Sequence, residues 1–421
     1  MINAKGIKKG KLHKVYPHLY GSFYTEEKMD ERYLQLLETH KKLFKEDKAM
    51  IFSTAGRSEL GGNHTDHNLG KVLACTISLD TIGAVTKTND NKVTLISEGF
   101  PSVEVDISNL EKVKEEENTT NSLIRGIARA FSDKGLEIGG FNANTTTNVL
   151  KGSGLSSSAA IEILCATIFN HLFNDDKLNP VELSIISQYA ENVYYGKPSG
   201  LMDQIACANG GIVEIDFKDN THPVVTCKNL SFNDKGYALV IVDTKGDHEN
   251  LTADYAAIPK EMKSVAAFFG KNYLREITIE QFVAEIPKIR KTLNNDRALL
   301  RALHFFNENT RVEALVKAID ENKFNEYLEL INKCGRSSFC YLQNLYADPT
   351  DQGLPLALAI SERILDGEGA CRVHGGGFAG TIQAYVHTKK LQEFVAEMNN
   401  LFGDDATTVL AVREYPTCCI A

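Results

Sequence analysis

A glycine- and serine-rich segment has the composition of an anion-binding loop. It reads Gly152-Ser153-Gly154-Leu155-Ser156-Ser157-Ser158 and stands between a strand-like stretch and a helix-like stretch. Glycines let the backbone approach a ligand closely, the start of a helix presents free N–H groups, and serine hydroxyls bond phosphate oxygens or Mg²⁺. It is not a Walker A loop, because no lysine follows the glycines. The segment predicts a phosphate site, although many glycine-serine turns only start helices.

A second group of candidate ligands lies in a hydrophilic turn. Asn63, His64 and Asp66 follow a pair of glycines, and their side chains are of the types that bond sugar or nucleoside hydroxyls. The spacing of His64 and His67 also fits a metal site, but no third and fourth ligands stand nearby in the sequence. The ordinary role of a lone histidine is a structural hydrogen bond. The residues alone leave a hydroxyl-binding role and a structural role open.

Two carboxylates flank a third turn. Glu191 precedes residues 196–200 and Asp203 follows them. Carboxylates near a turn commonly lie on a solvated face, and that is the default interpretation. If both point into one cavity, one could hold Mg²⁺ and the other could act on a substrate hydroxyl.

Strands and helices alternate around these turns. Apolar residues recur at helical spacing in residues 26–48 and 121–134 and from Ala160 onward, and helical patterns dominate residues 253–330. Strands are predicted for residues 49–52, 72–86, 92–106, 141–149, 211–217 and 237–242, with a strand-turn-strand unit around residues 375–377. We place a domain boundary near residue 210, giving domains 1–210 and 211–421. No linker marks the boundary, so we expect a broad interface between the two domains.

Composition excludes several classes of partner. The chain has 421 residues and a formal net charge of −9, which argues against nucleic acid or an anionic membrane as its main partner. Nine cysteines without CxxC spacing indicate neither a zinc site nor a disulfide framework. Neither a signal-peptide core nor an apolar run of about 18 residues is present, which predicts a soluble cytoplasmic protein.

Taken together, the turns closely resemble those of the galactokinase family in the GHMP kinase superfamily. Order and spacing fit across nearly the whole chain, and the segment around residues 301–312 is similar as well. The resemblance implies the α+β, two-domain GHMP kinase fold with its active site in the interdomain cleft. It also implies ATP-dependent phosphorylation of the anomeric hydroxyl of galactose, with Mg²⁺. The matching stretches are Gly56-Arg57, Gly62-Asn63-His64-Thr65-Asp66, Gly154-Leu155-Ser156-Ser157-Ser158-Ala159-Ala160, Gly200-Leu201-Met202-Asp203-Gln204 and His374-Gly375-Gly376-Gly377-Phe378.

The same resemblance implies a role for each matching residue. Asp203 is the candidate catalytic base, and Arg57 lies beside it and steadies both its carboxylate and the transferring phosphoryl group. Glu191, with Ser158 or Ser157, would hold Mg²⁺. The nucleotide would bind on Gly152, Ser153, Gly154, Leu155, Ser156, Ser157 and Ser158. The sugar would contact Asn63, His64, Asp66, Gly200 and Tyr255, and the glycine loop at 375–377 would help to close the site.

The chain departs from the family pattern in the sugar segment. Galactokinases usually carry Glu in place of Asn63, Tyr in place of His67, and Val-Asn-Leu-Ile in place of residues 58–61. Because the Glu position contacts the outer hydroxyls of the sugar, Asn63 could admit a carboxylate or an amide there. A kinase for galacturonate or N-acetylgalactosamine is therefore one alternative, and a non-catalytic sugar sensor is another. The expected partners are ATP and a small sugar, and the expected state is a monomer or a weak homo-oligomer.

Overall fold

Two β-sheets with helices packed around them form the fold in the computed structural model, which describes residues 1–149, 154–197, 199–246 and 251–421. The strands in these ranges are β1 (Met50–Gly61), β2 (Lys71–Lys87), β3 (Lys92–Ser97), β4 (Val103–Asp106), β5 (Phe141–Thr147), β6 (Ile212–Asp216), β7 (Val224–Lys228), β8 (Tyr237–Asp243), β9 (Gly369–Val373), β10 (Thr381–His387), β11 (Thr407–Leu410) and β12 (Cys418–Cys419).

The α-helices are distributed along the whole chain. Within the described ranges, none of them combines the length and the apolar character that a bilayer crossing requires. They are α1 (Ala4–Lys8), α2 (Tyr16–Tyr20), α3 (Glu26–Phe44), α4 (Thr120–Asp133), α5 (Ser157–Asn174), α6 (Pro180–Tyr189), α7 (Met202–Ala208), α8 (Thr252–Phe268), α9 (Ile279–Leu293), α10 (Asp296–Asp320), α11 (Phe324–Ser337), α12 (Gly353–Leu365) and α13 (Leu391–Phe402).

The larger sheet is built around the long strand β2. Its strand order is β12-β1-β2-β5-β3-β4, with β6 added on β2 and β7 on β6. Residues 81–87 of β2 pair with β5, and residues 71–75 pair with β6. The smaller sheet has the order β11-β8-β10-β9 and is antiparallel throughout. Strands β6, β7 and β12 come after residue 210 in the chain, but they belong to the larger sheet. The chain therefore returns to the larger sheet after residue 210. The domain boundary near residue 210 stays a prediction.

The predicted helices at 26–48, at 121–134 and after Ala160 are present as α3, α4 and α5. The prediction for the first strand was wrong in length, because β1 runs to Gly61 instead of ending near Phe52. Polar residues such as Ser58 and Glu59 made this stretch resemble a turn. In the structure they are buried, and other protein groups bond them in place of water.

Apolar packing connects the two sheets with each other and with the helices around them. One cluster places Leu60 and Ile77 of the larger sheet against Leu239 of the smaller sheet and Val312 of α10. Another cluster lies between the larger sheet and helices α4 to α6, with Phe169 among its members. Interiors packed in this way resist small displacements. Leu60 and Ile77 of the larger sheet are therefore packed firmly against the smaller sheet and α10.

A buried carboxylate fastens both ends of the chain to the larger sheet. Asp80 of β2 accepts hydrogen bonds from Tyr20 at 3.0 Å, from Arg32 at 2.5 Å and from Ser53 at 2.5 Å. Arg413, near the C-terminus, is fully buried and lies 3.8 Å from Asp80. Two guanidinium groups thus depend on one carboxylate for their counter-charge.

We expect Asp80→Ala to lower the free energy of unfolding by about 3–5 kcal/mol, because it leaves buried cations without a partner. Urea unfolding followed by circular dichroism measures this change. Asp47→Ala is the matched control, since Asp47 pairs with Lys41 at the surface with both side chains 64% exposed. The control should leave the free energy of unfolding close to that of the wild type, because surface substitutions of this kind have small effects. Equal effects for the two variants would contradict the role given to Asp80.

Candidate active site

An ion pair between Arg57 and Asp203 lies at the centre of the site. Arg57 stands on β1 just after Ala55, where the pairing with β2 shifts register, and Asp203 lies in the first turn of α7. Nε of Arg57 donates to Oδ1 of Asp203 at 2.9 Å, and a terminal nitrogen of Arg57 lies 2.8 Å from the same oxygen in an ion pair. Ser156 Oγ donates to the other oxygen, Oδ2. Irregular strand pairing next to an active site is a common way to aim a side chain.

The surroundings of Asp203 keep its carboxylate ionised. The side chain is 36% exposed. Partial burial alone would raise its pKa, but the charge of Arg57 and the hydrogen bond from Ser156 outweigh burial and lower the pKa of Asp203 below its usual value. The carboxylate is therefore charged at neutral pH and can accept a proton or orient a hydroxyl group.

The described part of the predicted phosphate loop packs directly on this pair. The guanidinium of Arg57 donates to the carbonyl oxygen of Gly154, and the main-chain N–H of Arg57 donates to that of Leu155 at 3.1 Å. A Cβ atom at Gly56 would lie 2.8 Å from the Leu155 carbonyl oxygen, so a glycine is needed for this close approach. The chain then turns through Ser156, whose φ is 60°, into α5. Gly152 and Ser153 lie outside the described residues.

Two neighbouring cavities have Ser158, Glu191 and Lys197 in common in their walls. The first, of about 300 Å³, lies between α5 and the β3–β4 region, with Ser157 at its edge. The second, of about 210 Å³, has mostly polar or charged residues in its lining and is here called the sugar-side cavity. The structure therefore brings most of the predicted site residues together. Those lining the sugar-side cavity are Arg57, Asn63, His64, Asp66, Ser158, Glu191, Gly200 and Asp203.

His64 lines this cavity and has one buried ring nitrogen without a hydrogen-bond partner in the described structure. Its Nε2 donates to the carbonyl oxygen of Gly376 at 3.0 Å, and its buried Nδ1 has no partner among the described residues. Burial and the nearby His67 lower the pKa of His64 to about 4, so the ring is neutral at pH 7. Asp66 lies close to Gly200, where a Cβ atom would stand 2.7 Å from the Asp66 carboxylate. An acceptor nitrogen beside a carboxylate is well suited to sugar hydroxyls.

Asn63 is part of the wall of the cavity, and its hydrogen bonds are used within the protein. It is only 1% exposed. Its amide nitrogen donates to Gly375 at 2.7 Å and to Glu59 at 3.2 Å, and its oxygen accepts from Asn344 at 3.0 Å. Glu59 also lines the cavity and pairs with the buried Arg372. A carboxyl group thus remains beside Asn63, which disfavours a substrate carboxylate at this wall.

Tyr255, on α8, packs against the glycine loop at 375–377. Its hydroxyl donates to the Gly377 carbonyl oxygen at 2.8 Å, and its ring meets Phe378 edge-on at 5.3 Å. A Cβ atom at Gly376 would lie 2.7 Å from the ring. Tyr255 is not among the described residues that line the sugar-side cavity. Its predicted contact with the sugar stays a prediction.

Glu191 lies in a π-helical turn, Ala190–Tyr195, that follows α6. Such turns are rare and frequently occur at functional sites. The Glu191 carboxylate accepts from Lys197 at 2.9 Å and from Gln204 at 2.9 Å, and also from Ser199. Gln204 donates to the buried Glu162 at 3.0 Å as well, while its own amide oxygen is buried without a partner in the described structure. Burial and the nearby Glu191 raise the pKa of Glu162 well above its usual value.

Sequence reasoning missed several residues of the site, among them Glu59, Glu162 and Lys197. Lys197 lies in the predicted turn between Glu191 and Asp203, so a search of that turn for cations would have found it. Glu162 lies one turn of α5 after Ser158, and helical spacing from the phosphate loop would have indicated it. Nothing in the sequence shows that Glu59 is buried beside Asn63.

The fold and the site define a GHMP kinase. The GHMP kinases N terminal domain matches residues 122–211, and the galactokinase galactose-binding signature matches residues 38–87. The crystal structure of Lactococcus lactis galactokinase complexed with galactose superposes with a TM-score of 0.78 at 23% identity, covering 91% of this chain and 99% of that one. A mevalonate kinase structure superposes with a TM-score of 0.59 at 16% identity, covering 88% and 100%.

Sequence relatives narrow the class to one family. Galactokinase from Clostridium tetani is 32% identical over 372 residues, which cover 86% of this chain and 90% of the relative. Galactokinase from Staphylococcus carnosus is 30% identical over 354 residues, covering 83% and 88%. The chain belongs to the galactokinase family. The predicted resemblance and the predicted fold class are confirmed.

Replacing Arg57 with Met should raise the pKa of Asp203, because the positive charge that favours the ionised carboxylate is lost. Carboxyl ¹³C NMR on aspartate-labelled protein measures the titration, with Asp203→Asn assigning the signal. Arg129→Met is the control, since Arg129 pairs with Asp133 at the surface. The wild-type carboxylate should stay ionised to a lower pH than that of the variant. An unchanged Asp203 titration would contradict the assignment.

Proposed function

We propose that this chain is an ATP-dependent galactose 1-kinase, which converts galactose and ATP to galactose 1-phosphate and ADP. The observation that carries this proposal is the ionised Asp203, held by Arg57 and Ser156 where the phosphate loop meets the sugar-side cavity. A charged carboxylate at that junction can act on the acceptor hydroxyl while the loop holds the phosphate donor.

Transfer proceeds in line and in one step. Asp203 takes the proton of the anomeric hydroxyl as that oxygen attacks the γ-phosphorus of ATP. The bond from this phosphorus to the β,γ-bridging oxygen breaks, and ADP leaves with the electron pair. Arg57 neutralises charge on the transferring group and keeps Asp203 oriented. Positioning and charge neutralisation of this kind supply most of the catalysis in phosphoryl transfer.

Substrates bind on the two sides of this junction. The nucleotide phosphates lie on the loop at 152–158 and the start of α5, and the nucleotide base enters the first cavity. The sugar lies in the sugar-side cavity against His64, Asp66 and Gly200. Asn63 shapes the wall behind it, and Tyr255 supports the glycine loop that closes over it. The unpartnered Nδ1 of His64 supports a hydroxyl ligand at this position.

The residues around Glu191 fit a magnesium ion. Mg²⁺ prefers oxygen ligands and usually keeps several waters, so one or two protein ligands and substrate phosphates are enough. Glu191 and Ser158, or Ser157, would hold it, and the buried unpartnered oxygen of Gln204 is a further oxygen donor close to Glu191. The described residues contain no cluster of three or more His, Cys, Asp or Glu that could hold a metal alone. When bound, the ion neutralises phosphate charge.

The alternatives are less well supported by the site. A non-catalytic sensor would have no need of Asp203, Glu191 and the serines at 156–158, which lie together in the described structure. A galacturonate kinase would place a second carboxylate near Glu59. A kinase for N-acetylgalactosamine would have to fit its amide against Asn63, whose hydrogen bonds are already made. We place the enzyme in the cytoplasm as a monomer or weak homo-oligomer.

A panel of galactose, galacturonate, N-acetylgalactosamine, glucose and arabinose, assayed for ADP release, tests the substrate. Galactose should give the highest kcat/KM, with the product identified as the 1-phosphate by ³¹P NMR. Activity with another sugar alone would overturn the galactose assignment and leave the mechanism in place. Absence of any sugar-dependent turnover would favour a sensor.

Asp203→Asn should reduce kcat by about 10²–10⁴, because the amide cannot accept the proton. Calorimetry should show galactose binding close to that of the wild type, since the change keeps the shape of the side chain. Asp133→Asn serves as a surface control with unchanged turnover. A kcat within about tenfold of the wild type would remove Asp203 from the role of base.

A further inference from the structure

Lys197 is a positively charged residue in the candidate active site, and the mechanism proposed above assigns it no role. It follows the π-helical turn of Glu191 and lines both the first cavity and the sugar-side cavity. Its Nζ lies 2.9 Å from Oε1 of Glu191. The Lys197 side chain is 57% exposed, whereas that of Glu191 is 5% exposed. The ammonium group of Lys197 is therefore held by a buried carboxylate, whereas the rest of the side chain is open to the cavities.

The charges around Lys197 are mainly negative. Glu191, Asp203 and Glu162 together raise its pKa, although partial burial lowers it. Lys197 and Arg57 are the Lys or Arg side chains among the described residues that line the two cavities. Arg57 is committed to Asp203 and to the Gly154 carbonyl oxygen. Lys197 is thus the cation that can change partner without breaking the catalytic ion pair.

A metal ion and an ammonium group compete for Glu191. Two cations at one carboxylate repel each other strongly in a partly buried site. When a divalent ion with bound nucleotide takes Glu191, the lysine loses its partner next to a group of three or four phosphate charges. Its flexible four-carbon stem and rotatable donors allow it to reorient toward phosphate oxygens.

We propose, resting on the function proposed above, that Lys197 is a nucleotide-phosphate-binding residue that pairs with Glu191 in the metal-free enzyme and moves to the phosphate oxygens when a metal ion occupies Glu191. The lysine keeps Glu191 neutralised before the nucleotide arrives. After the exchange, it adds a positive charge on the nucleotide side of the junction, where negative charge is greatest.

Calorimetric binding of MgATP, metal-free ATP in EDTA, and AMP to the full chain tests this proposal. Lys197→Met should weaken MgATP binding by about tenfold, the scale of one lost charge-assisted hydrogen bond. It should leave AMP binding unchanged, because AMP lacks the β- and γ-phosphates. The loss should be smaller in EDTA, where the wild-type lysine stays on Glu191.

Two further variants make the comparison specific. Lys197→Arg keeps the charge and should restore most of the MgATP affinity. Lys41→Met is the matched control, because Lys41 also pairs with one carboxylate, that of Asp47 at 2.7 Å, but far out in solvent. Its nucleotide binding should equal that of the wild type. If Lys197→Met fails to fold, Lys197→Gln replaces it.

Unchanged MgATP affinity in Lys197→Met would overturn the proposal. So would an equal loss for AMP, which would indicate general damage to the site, or an equal loss with and without Mg²⁺, which would exclude the exchange of partners. Failure of the proposed function has a different signature. In that case the wild type itself would show no sugar-dependent ADP release, whatever the behaviour of the Lys197 variants.

Discussion

The ion pair between Arg57 and Asp203 is the interaction on which the rest of the site depends. A catalytic carboxylate works best when it is partly shielded from water. Burial alone, however, would raise its pKa and favour the protonated form. Arg57 removes this conflict by supplying a fixed positive charge at 2.8–2.9 Å. The same guanidinium also bonds the phosphate loop at Gly154. Under the proposed function, one side chain thus positions both the proton acceptor and the phosphate loop, and that side chain is anchored in the long strand β1.

The second constraint is the number of acids in a site that binds an anionic nucleotide. Burial raises the pKa of Glu162, and Glu191 and Asp203 lie close enough to raise it further. The charge of each group is compensated in a different way. Arg57 pairs with Asp203, burial favours the neutral form of Glu162, and Lys197 pairs with Glu191. In the function proposed above, Asp203 stays charged, while Glu191 would become available to a metal ion once Lys197 has moved to the phosphate oxygens.

Local patterns in the sequence predicted many of the helices and strands and several residues that the structure brings together around the sugar-side cavity. Helices such as α4 and α5 carry their own periodicity, and Asp203 follows a turn that matches a family pattern. What local patterns do not contain is long-range burial. The length of β1, the bonds that occupy Asn63 and the position of Tyr255 under the glycine loop depend on residues far away in the chain. The pairing of Lys197 with Glu191 depends on the π-helical turn. Ordinary helical spacing in the sequence does not indicate such a turn.

The most direct measurement is a crystal structure of the full chain with galactose, Mg²⁺ and a non-hydrolysable ATP analogue. We expect the anomeric oxygen to lie within hydrogen-bonding distance of Asp203, about 2.6–3.2 Å, and to face the γ-phosphorus from the side opposite the leaving oxygen. A sugar bound with another hydroxyl at Asp203, or a nucleotide bound away from the loop and α5, would contradict this expectation.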